Sequence, residues 1–343
     1  MTIIKENREM IASKIGKNIV ITFLISLLCL TGCTRKLETR YDSGQLKEKY
    51  AVRKDSEGNY IKHGKYVCWY ENGKKKQEGN FEDDKETGIH TFWHDNGQKE
   101  SEGKFKDGKR IEKWVYWHNN GQRNSEGVFK DDVKIGKWVT WYENGNKKSE
   151  GELKDGKENG KHIFWYENGK KKQEGEFKDG KENGIHTFWH DNGEKESEGE
   201  FKDGKKIGKW LSWHGNGQKE SETEFKDNEK DGKCVKWYQN GQKRYEGAFK
   251  DSKRIGKWVT WYENGVKNFE GEFKNGRENG KWVYWHKNGR KASEGELKDG
   301  KKNGKHIRWY DNGQKKSEGE YKDGKKVGKW LYWDENGKIK PSR

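Results

Sequence analysis

The sequence predicts an all-β protein: an elongated, single-layer antiparallel sheet of tandem 24-residue β-hairpins. Three observations predict it. Asn-Gly recurs at Asn72, Asn96, Asn120, Asn144, Asn168, Asn192, Asn216, Asn240, Asn264, Asn288, Asn312 and Asn336, always 24 residues apart and without insertion. Short β-branched and aromatic runs lie between these turns and Asp-Gly turns, and no segment keeps a helical period long enough to compete. The composition rules out an ordinary globular core, with 28% hydrophobic and 38% charged residues, yet 18 Trp, 15 Tyr and 13 Phe are too many for a disordered chain. Aromatic rings must supply the order.

The N-terminus comes first. Residues 1–32 read as a lipoprotein signal peptide. The apolar stretch IVITFLISLLCL, Ile19 to Leu30, follows Lys14 and Lys17 and is too short to serve as a stable bilayer anchor. Leu30-Thr31-Gly32-Cys33 directly after it resembles the bacterial lipobox, in which signal peptidase II cuts before a cysteine that carries lipid on its thioether. Cys33 is therefore the expected lipidation site, and Met10 gives a more typical signal length than Met1. Thr34 stands where Asp would retain the lipoprotein in the inner membrane, which points to the outer membrane. Residues 33–40 read as a lipidated tether, 41–64 as a degenerate capping repeat, and 65–343 as tandem repeats.

Within the repeat, position accounts for every tryptophan. Twelve lie three residues before the Asn: Trp69, Trp93, Trp117, Trp141, Trp165, Trp189, Trp213, Trp237, Trp261, Trp285, Trp309 and Trp333. The other six, Trp114, Trp138, Trp210, Trp258, Trp282 and Trp330, lie six before it. Glu follows the Asn by six residues, then Gly in every full copy but one, where Thr223 stands, and Phe, Leu or Tyr follows by nine. A three-residue loop, Glu71-Asn72-Gly73, with the glycine in a left-handed bulge, is chosen because it gives each hairpin one apolar face. On that register Trp69, Val67, Gln77, Gly79 and Phe81 share a face, and the twelve tryptophans are the structural, buried ones.

The opposite face then carries the rings two residues before each Asn: Tyr70, His94, His118, Tyr142, Tyr166, His190, His214, Tyr238, Tyr262, His286 and Tyr310. They form an aromatic ladder flanked by Lys and Glu, and this is the expected binding face. Its partner would be a protein segment, a glycan or an anionic lipid surface. Nucleic acid is not expected, because Glu recurs beside nearly every basic run despite the formal charge of +16 and no reading motif occurs. No metal or cofactor is expected either. His90 and His94 would chelate on a helix, but on a strand they stand ~13 Å apart. The recurrent Glu has no unique pocket to shift its pKa, so catalysis is not expected and the chain reads as a non-enzyme. Cys68 and Cys234, about seven repeats apart, read as free thiols at aromatic positions.

The repeat unit, as in Glu174-Gly175-Glu176-Phe177-Lys178-Asp179-Gly180 and the hairpins around it, resembles the MORN repeat. More closely it is similar to the bacterial variant of YwqK-like proteins, which are named as antitoxin components. The resemblance covers about residues 60–343, with Trp-Tyr/His-x-Asn-Gly in place of the usual turn. It implies successive hairpins in a single sheet layer with a shallow groove. The function expected is an envelope lipoprotein whose repeats recognise a partner. The resemblance implies toxin neutralisation as an alternative, and aromatic-rich repeats leave cell-wall glycan binding as another.

Overall fold

The computed structural model describes residues 34–340 and builds them from 25 β-strands. The signal peptide and Cys33 lie outside the described residues. The chain divides into two compact units, Met1–Gly169 and Lys170–Arg343. Among the described residues the first holds eleven strands, from Arg35–Arg40 to Lys157–Trp165, and the second fourteen, from Lys171–Lys178 to Lys325–Tyr332. In both, antiparallel ladders join strands that follow one another in sequence. The predicted all-β repeat architecture is what the chain adopts.

Each repeat is an entering strand ending on the tryptophan before the turn and a returning strand beginning two residues after the Gly. The loop between them is the three-residue one: Gly73 N–H donates to the Tyr70 carbonyl (3.0 Å) and Tyr70 N–H to the Lys74 carbonyl (2.8 Å). Gly73 takes φ 80°, a conformation that costs a side-chain-bearing residue ~1–2 kcal/mol. The returning strand leads into a two-residue turn, Asp107-Gly108 at φ 52° and 76°, whose twist matches the flanking strands.

Asn is kept at every loop for two reasons visible in the bonding. Asn72 Oδ1 accepts from Lys74 N–H (3.0 Å), closing its own loop, and its side-chain amide donates to the Asp95 carbonyl of the next repeat (2.8 Å). The same pair of bonds recurs at Asn96, Asn120, Asn240 and Asn288. One side chain both shapes a turn and ties it to its neighbour.

The predicted face assignment is corrected by the register. Trp69 pairs with Lys75, but Cys68 pairs with Gln77, so Lys76 bulges out of the ladder. That extra residue cancels the shift introduced by the three-residue loop. Val67 therefore faces with Glu78 and Trp69, while Gln77, Gly79 and Phe81 share their face with Tyr66 and Cys68. The same slip recurs in the hairpins ending at Trp93, Trp117, Trp213 and Trp285.

The buried face is consequently built on the ring six residues before the Asn, here called the inner ring. Trp114, Trp258 and Trp282 are 1–2% exposed and His90 and His186 are fully buried. From His90 onward each inner ring lies flat over the Gly of the preceding returning strand: a methyl group on Gly103 would sit 2.2 Å from the Trp114 ring. Phenylalanines slot edge-on between successive inner rings, in the series His90–Phe105–Trp114–Phe129–Trp138 with centroids 4.9–6.2 Å apart. Such edge-to-face pairs add roughly 0.5–1.5 kcal/mol each beyond the area they bury. Thr223, the one departure from Gly, is matched by Cys234 in place of the ring that would cover it, with Oγ1 and Sγ 3.2 Å apart.

Residues 35–40, read from the sequence as part of a tether, form a strand paired along Leu46–Val52. Thr39 is buried there and bonds the Glu48 carboxylate (3.3 Å). The alternation of Leu37 and Thr39 with charged residues suits a half-covered strand.

Candidate functional site

Within each unit three rows of rings run across the repeats, and the register decides what each can do. The inner row is spent on the fold. In most repeats its ring N–H, whether from Trp or His, points at the backbone carbonyl beside the glycine; Trp282 donates instead to Asn279, and Trp330 Nε1 is buried without a partner among the described residues. Trp114 and Trp138 Nε1–H donate to Lys104 and Val128 (both 3.2 Å), and His90, His162 and His186 place Nε2 2.7–2.8 Å from Asn80, Glu152 and Glu176. This explains why Trp and His interchange there: both carry a flat ring and an N–H at the right reach. Burial holds His90, His186 and His306 below the usual imidazole range, so these rings are neutral. Among the described residues no group of three or more His, Cys, Asp or Glu gathers as a metal centre. Cys68 and Cys234 are free and buried.

The turn rings two residues before the Asn, expected as the binding face, lie half-buried on the same side as the inner row. Their polar tips reach the backbone carbonyl of the next repeat's tryptophan. Tyr70 hydroxyl donates to Trp93 (2.7 Å), Tyr142 to Trp165 (2.8 Å), Tyr238 to Trp261 and Tyr262 to Trp285 (both 2.9 Å), and Tyr310 to Trp333 (3.0 Å). His94, His118, His190, His214 and His286 reach Trp117, Trp141, Trp213, Trp237 and Trp309 at 3.1–3.2 Å. A row with its polar groups so engaged links repeats.

The twelve tryptophans three before each Asn form the third row, on the other face, and all are half-buried rather than buried. Lys75 Nζ lies 5.5 Å from the centroid of Trp93, in the next repeat, and the same contact recurs at Trp117, Trp165, Trp213, Trp237, Trp261, Trp285, Trp309 and Trp333 within 5.2–5.9 Å. The lysine is shared: Lys75 also holds Glu78 at 2.6 Å, and Lys65 grips that carboxylate from the other side at 2.7 Å. Hydrogen bonds from Lys65 and Lys75 keep the Glu78 carboxyl below the ordinary carboxylate range, and lysine does the same for Glu150, Glu222 and Glu318. These carboxylates are fixed as anions rather than poised for proton transfer. Where the gripping lysine is replaced by Ile89, Thr91 Oγ1 donates to Glu102 instead (3.0 Å), and Thr187 serves Glu198 beside Ile185. Ile89 and Ile185 are 66% and 67% exposed on this face. The near-identical stretches at His90 and His186 are thus one solution used twice: a buried ring, a threonine for the missing lysine, and an exposed isoleucine.

The sequence pattern described as "MORN repeat variant" matches residues 62–83, 86–107, 134–155, 158–179, 182–203, 206–227, 230–251, 254–275, 302–323 and 326–340, well over half of the chain. The chain belongs to the MORN repeat variant family. The two stretches the pattern skips, 110–131 and 278–299, fold as the same MORN hairpins, with strands Lys109–Trp117, Arg123–Lys130, Arg277–Trp285 and Lys291–Lys298. In the first of them Glu112 stands where the neighbouring repeats carry Gly88 and Gly136, at φ 71° and 62°, and itself takes φ 58°. No curated protein matches the chain. Among solved structures it is similar to a TcdB2–TccC3–Cdc42 complex at 11% identity, covering 90% of this chain and 18% of that one, with a TM-score of 0.18. A TcdB2–TccC3 structure gives 12%, 89%, 17% and 0.18. The chain spans less than a fifth of those chains.

Proposed function

We propose that this MORN repeat protein is a non-enzymatic recognition module of the bacterial cell envelope, anchored by lipid on Cys33, and that its outer tryptophan face takes an extended partner. One observation carries the reading: half-exposed tryptophan and shared lysine recur at the same place in repeat after repeat. Rings that are amphipathic, rigid and already ordered lose little entropy on binding, and aromatic residues are enriched at interface centres. The lysines are committed to Glu and Trp, so the face offers aromatic area framed by ion pairs rather than free positive charge. That suits a polypeptide segment or a glycan better than a bare anionic surface.

Each contact adds little and the array multiplies it. A photo-crosslinking residue at Lys209 or Lys233, both exposed on the tryptophan face, should trap one discrete envelope partner in intact cells. The adduct should vanish when Trp213 and Trp237 are both changed to Ala in a variant that remains folded. No adduct at either position, in protein recovered with membranes, would remove the reading. Cys33→Ala should abolish incorporation of labelled fatty acid and leave unprocessed precursor; label retained by that variant would reject the anchor alone.

A further inference from the structure

On the inner-ring face of the second unit, away from the tryptophan row, the ladder has a gap. Leu297 stands where most repeats carry Phe, and Arg308 stands where Phe92, Phe164 and Phe188 stand elsewhere. The result is a hollow of about 230 Å³ lined by Trp282, Tyr284, Ser293, Leu297, Lys302, His306 and Arg308, with Glu294 and Gly295 completing its floor. Its walls are apolar and flat: Trp282 and Tyr284 stack with centroids 5.9 Å apart. Its polar side chains include Arg308, Lys302, Ser293 and His306; burial, and then the nearby Glu278 carboxylate, push the Tyr284 hydroxyl up to about 12. The nearest carboxylate by sequence, Glu294, pairs with Lys291 at 2.8 Å, and its register partner Ile307 puts it on the opposite face. Lys302, lying over Tyr321 at 5.0 Å, is held below the usual lysine range by burial and by the charges of Arg308 and Lys326.

The first unit supplies an internal comparison. Trp138, Ser149, Gly151, Leu153 and His162 repeat the frame of Trp282, Ser293, Gly295, Leu297 and His306, at the same offset of 144 residues. There Glu158 replaces Lys302 and Phe164 replaces Arg308. The Leu gap occurs in both copies, and the later one differs at its two cations and at Tyr284, where the first carries Thr140.

We propose that the hollow bounded by Trp282, Leu297, Lys302 and Arg308 is a binding site for a small organic anion with a flat apolar body. The body would lie against Trp282 and Tyr284, and the anionic head would meet Arg308 and Lys302, with Ser293 Oγ as a further donor. A guanidinium paired with a lysine is suited to a carboxylate or phosphate oxygen pair. A concave, mostly apolar pocket with a few convergent polar groups is the general form of such sites. The site is separate from the tryptophan face, so either reading stands without the other.

The test is calorimetric titration of the full chain with phenyl phosphate, alongside inorganic phosphate, benzyl alcohol and benzylamine. Phenyl phosphate should bind at one site per chain, weakening as salt rises; inorganic phosphate and benzyl alcohol should each bind at least tenfold more weakly, and benzylamine not at all. Lys302→Glu with Arg308→Phe, residues the matching frame already tolerates as Glu158 and Phe164, should lower phenyl phosphate affinity at least tenfold while the melting temperature holds. Equal binding of benzyl alcohol, or unchanged affinity in the double variant, would overturn the proposal. So would absence of phenyl phosphate binding to the unaltered chain at millimolar concentration, a result that needs no variant to fold.

Discussion

Gly103 shows how tightly a single residue is specified. Its missing side chain is the space in which Trp114 lies, with ring atoms 2.2–2.4 Å from where a methyl would stand. The ring cannot yield, because its N–H is fixed to Lys104 and its edge meets Phe105 at 4.9 Å. Gly103→Ala should therefore cost about 1–3 kcal/mol, the range for forcing extra atoms into a packed core. Gly103→Thr alone should cost more, and adding Trp114→Cys should recover part of the loss, reproducing the Thr223–Cys234 pair. Denaturant melts of the two single variants and the double give the coupling, expected at ~1 kcal/mol or more. Purely additive losses would mean that Thr223 and Cys234 coexist by accident. Both departures were visible in the sequence. That they touch was not, because contact runs through a pairing set by bulges.

At the scale of the hairpin, the period, the strands and the three-residue loop were all legible, since Asn and Gly at fixed offsets carry a defined turn chemistry. The bulge at Lys76 was not. It takes an ordinary lysine, leaves no compositional mark, and yet reverses which residues face the core. For that reason the rings named as a binding face proved to bridge repeats, and the tryptophans named as core proved to be the half-exposed row. The hairpin's buried histidines carry a pH dependence whose sign follows from their burial. His90, His186 and His306 bind protons less readily when folded than when unfolded. Their neutral state is fully compatible with the fold above about pH 6.5, and stability falls as pH drops through that value, because the unfolded chain takes up protons the folded one refuses. The Glu–Lys pairs respond only lower, as pH falls below the ordinary carboxylate range of about 4.3. Stability should thus decline between pH 7 and 5, before the carboxylates titrate. Replacing all three histidines by Trp, the residue other repeats carry there, should flatten that part of the curve in denaturant midpoints. An unchanged slope would show that other groups cause it.

For the molecule as a whole, what matters is that each repeat has contacts mainly with its neighbours. The turn-ring bond and the Asn amide bond each reach 23 residues onward, and the lysine over the next tryptophan reaches from Lys75 to Trp93, all into the following repeat. Stability should then be close to a sum of repeat and neighbour terms. Deleting residues 254–277 joins Lys253 to Glu278 and removes one full period, which brings Gly247 under Trp282 in place of Trp258. Glycine under a ring and Phe249 at its edge restore the contacts that Gly271 and Phe273 made. The shortened protein should remain all-β by circular dichroism, unfold cooperatively, and show a denaturant slope reduced in proportion to the surface lost. Deleting only 254–265 removes Trp258, Trp261 and the Asn264-Gly265 loop, and joins a tight turn directly to a returning strand of the wrong direction. That variant should lose β-structure in the neighbouring hairpins as well as in its own. If the half-period deletion melts no lower than the full one, the repeats are not coupled through the ring and turn contacts described, and the ladder would have to be held by the backbone bonds alone.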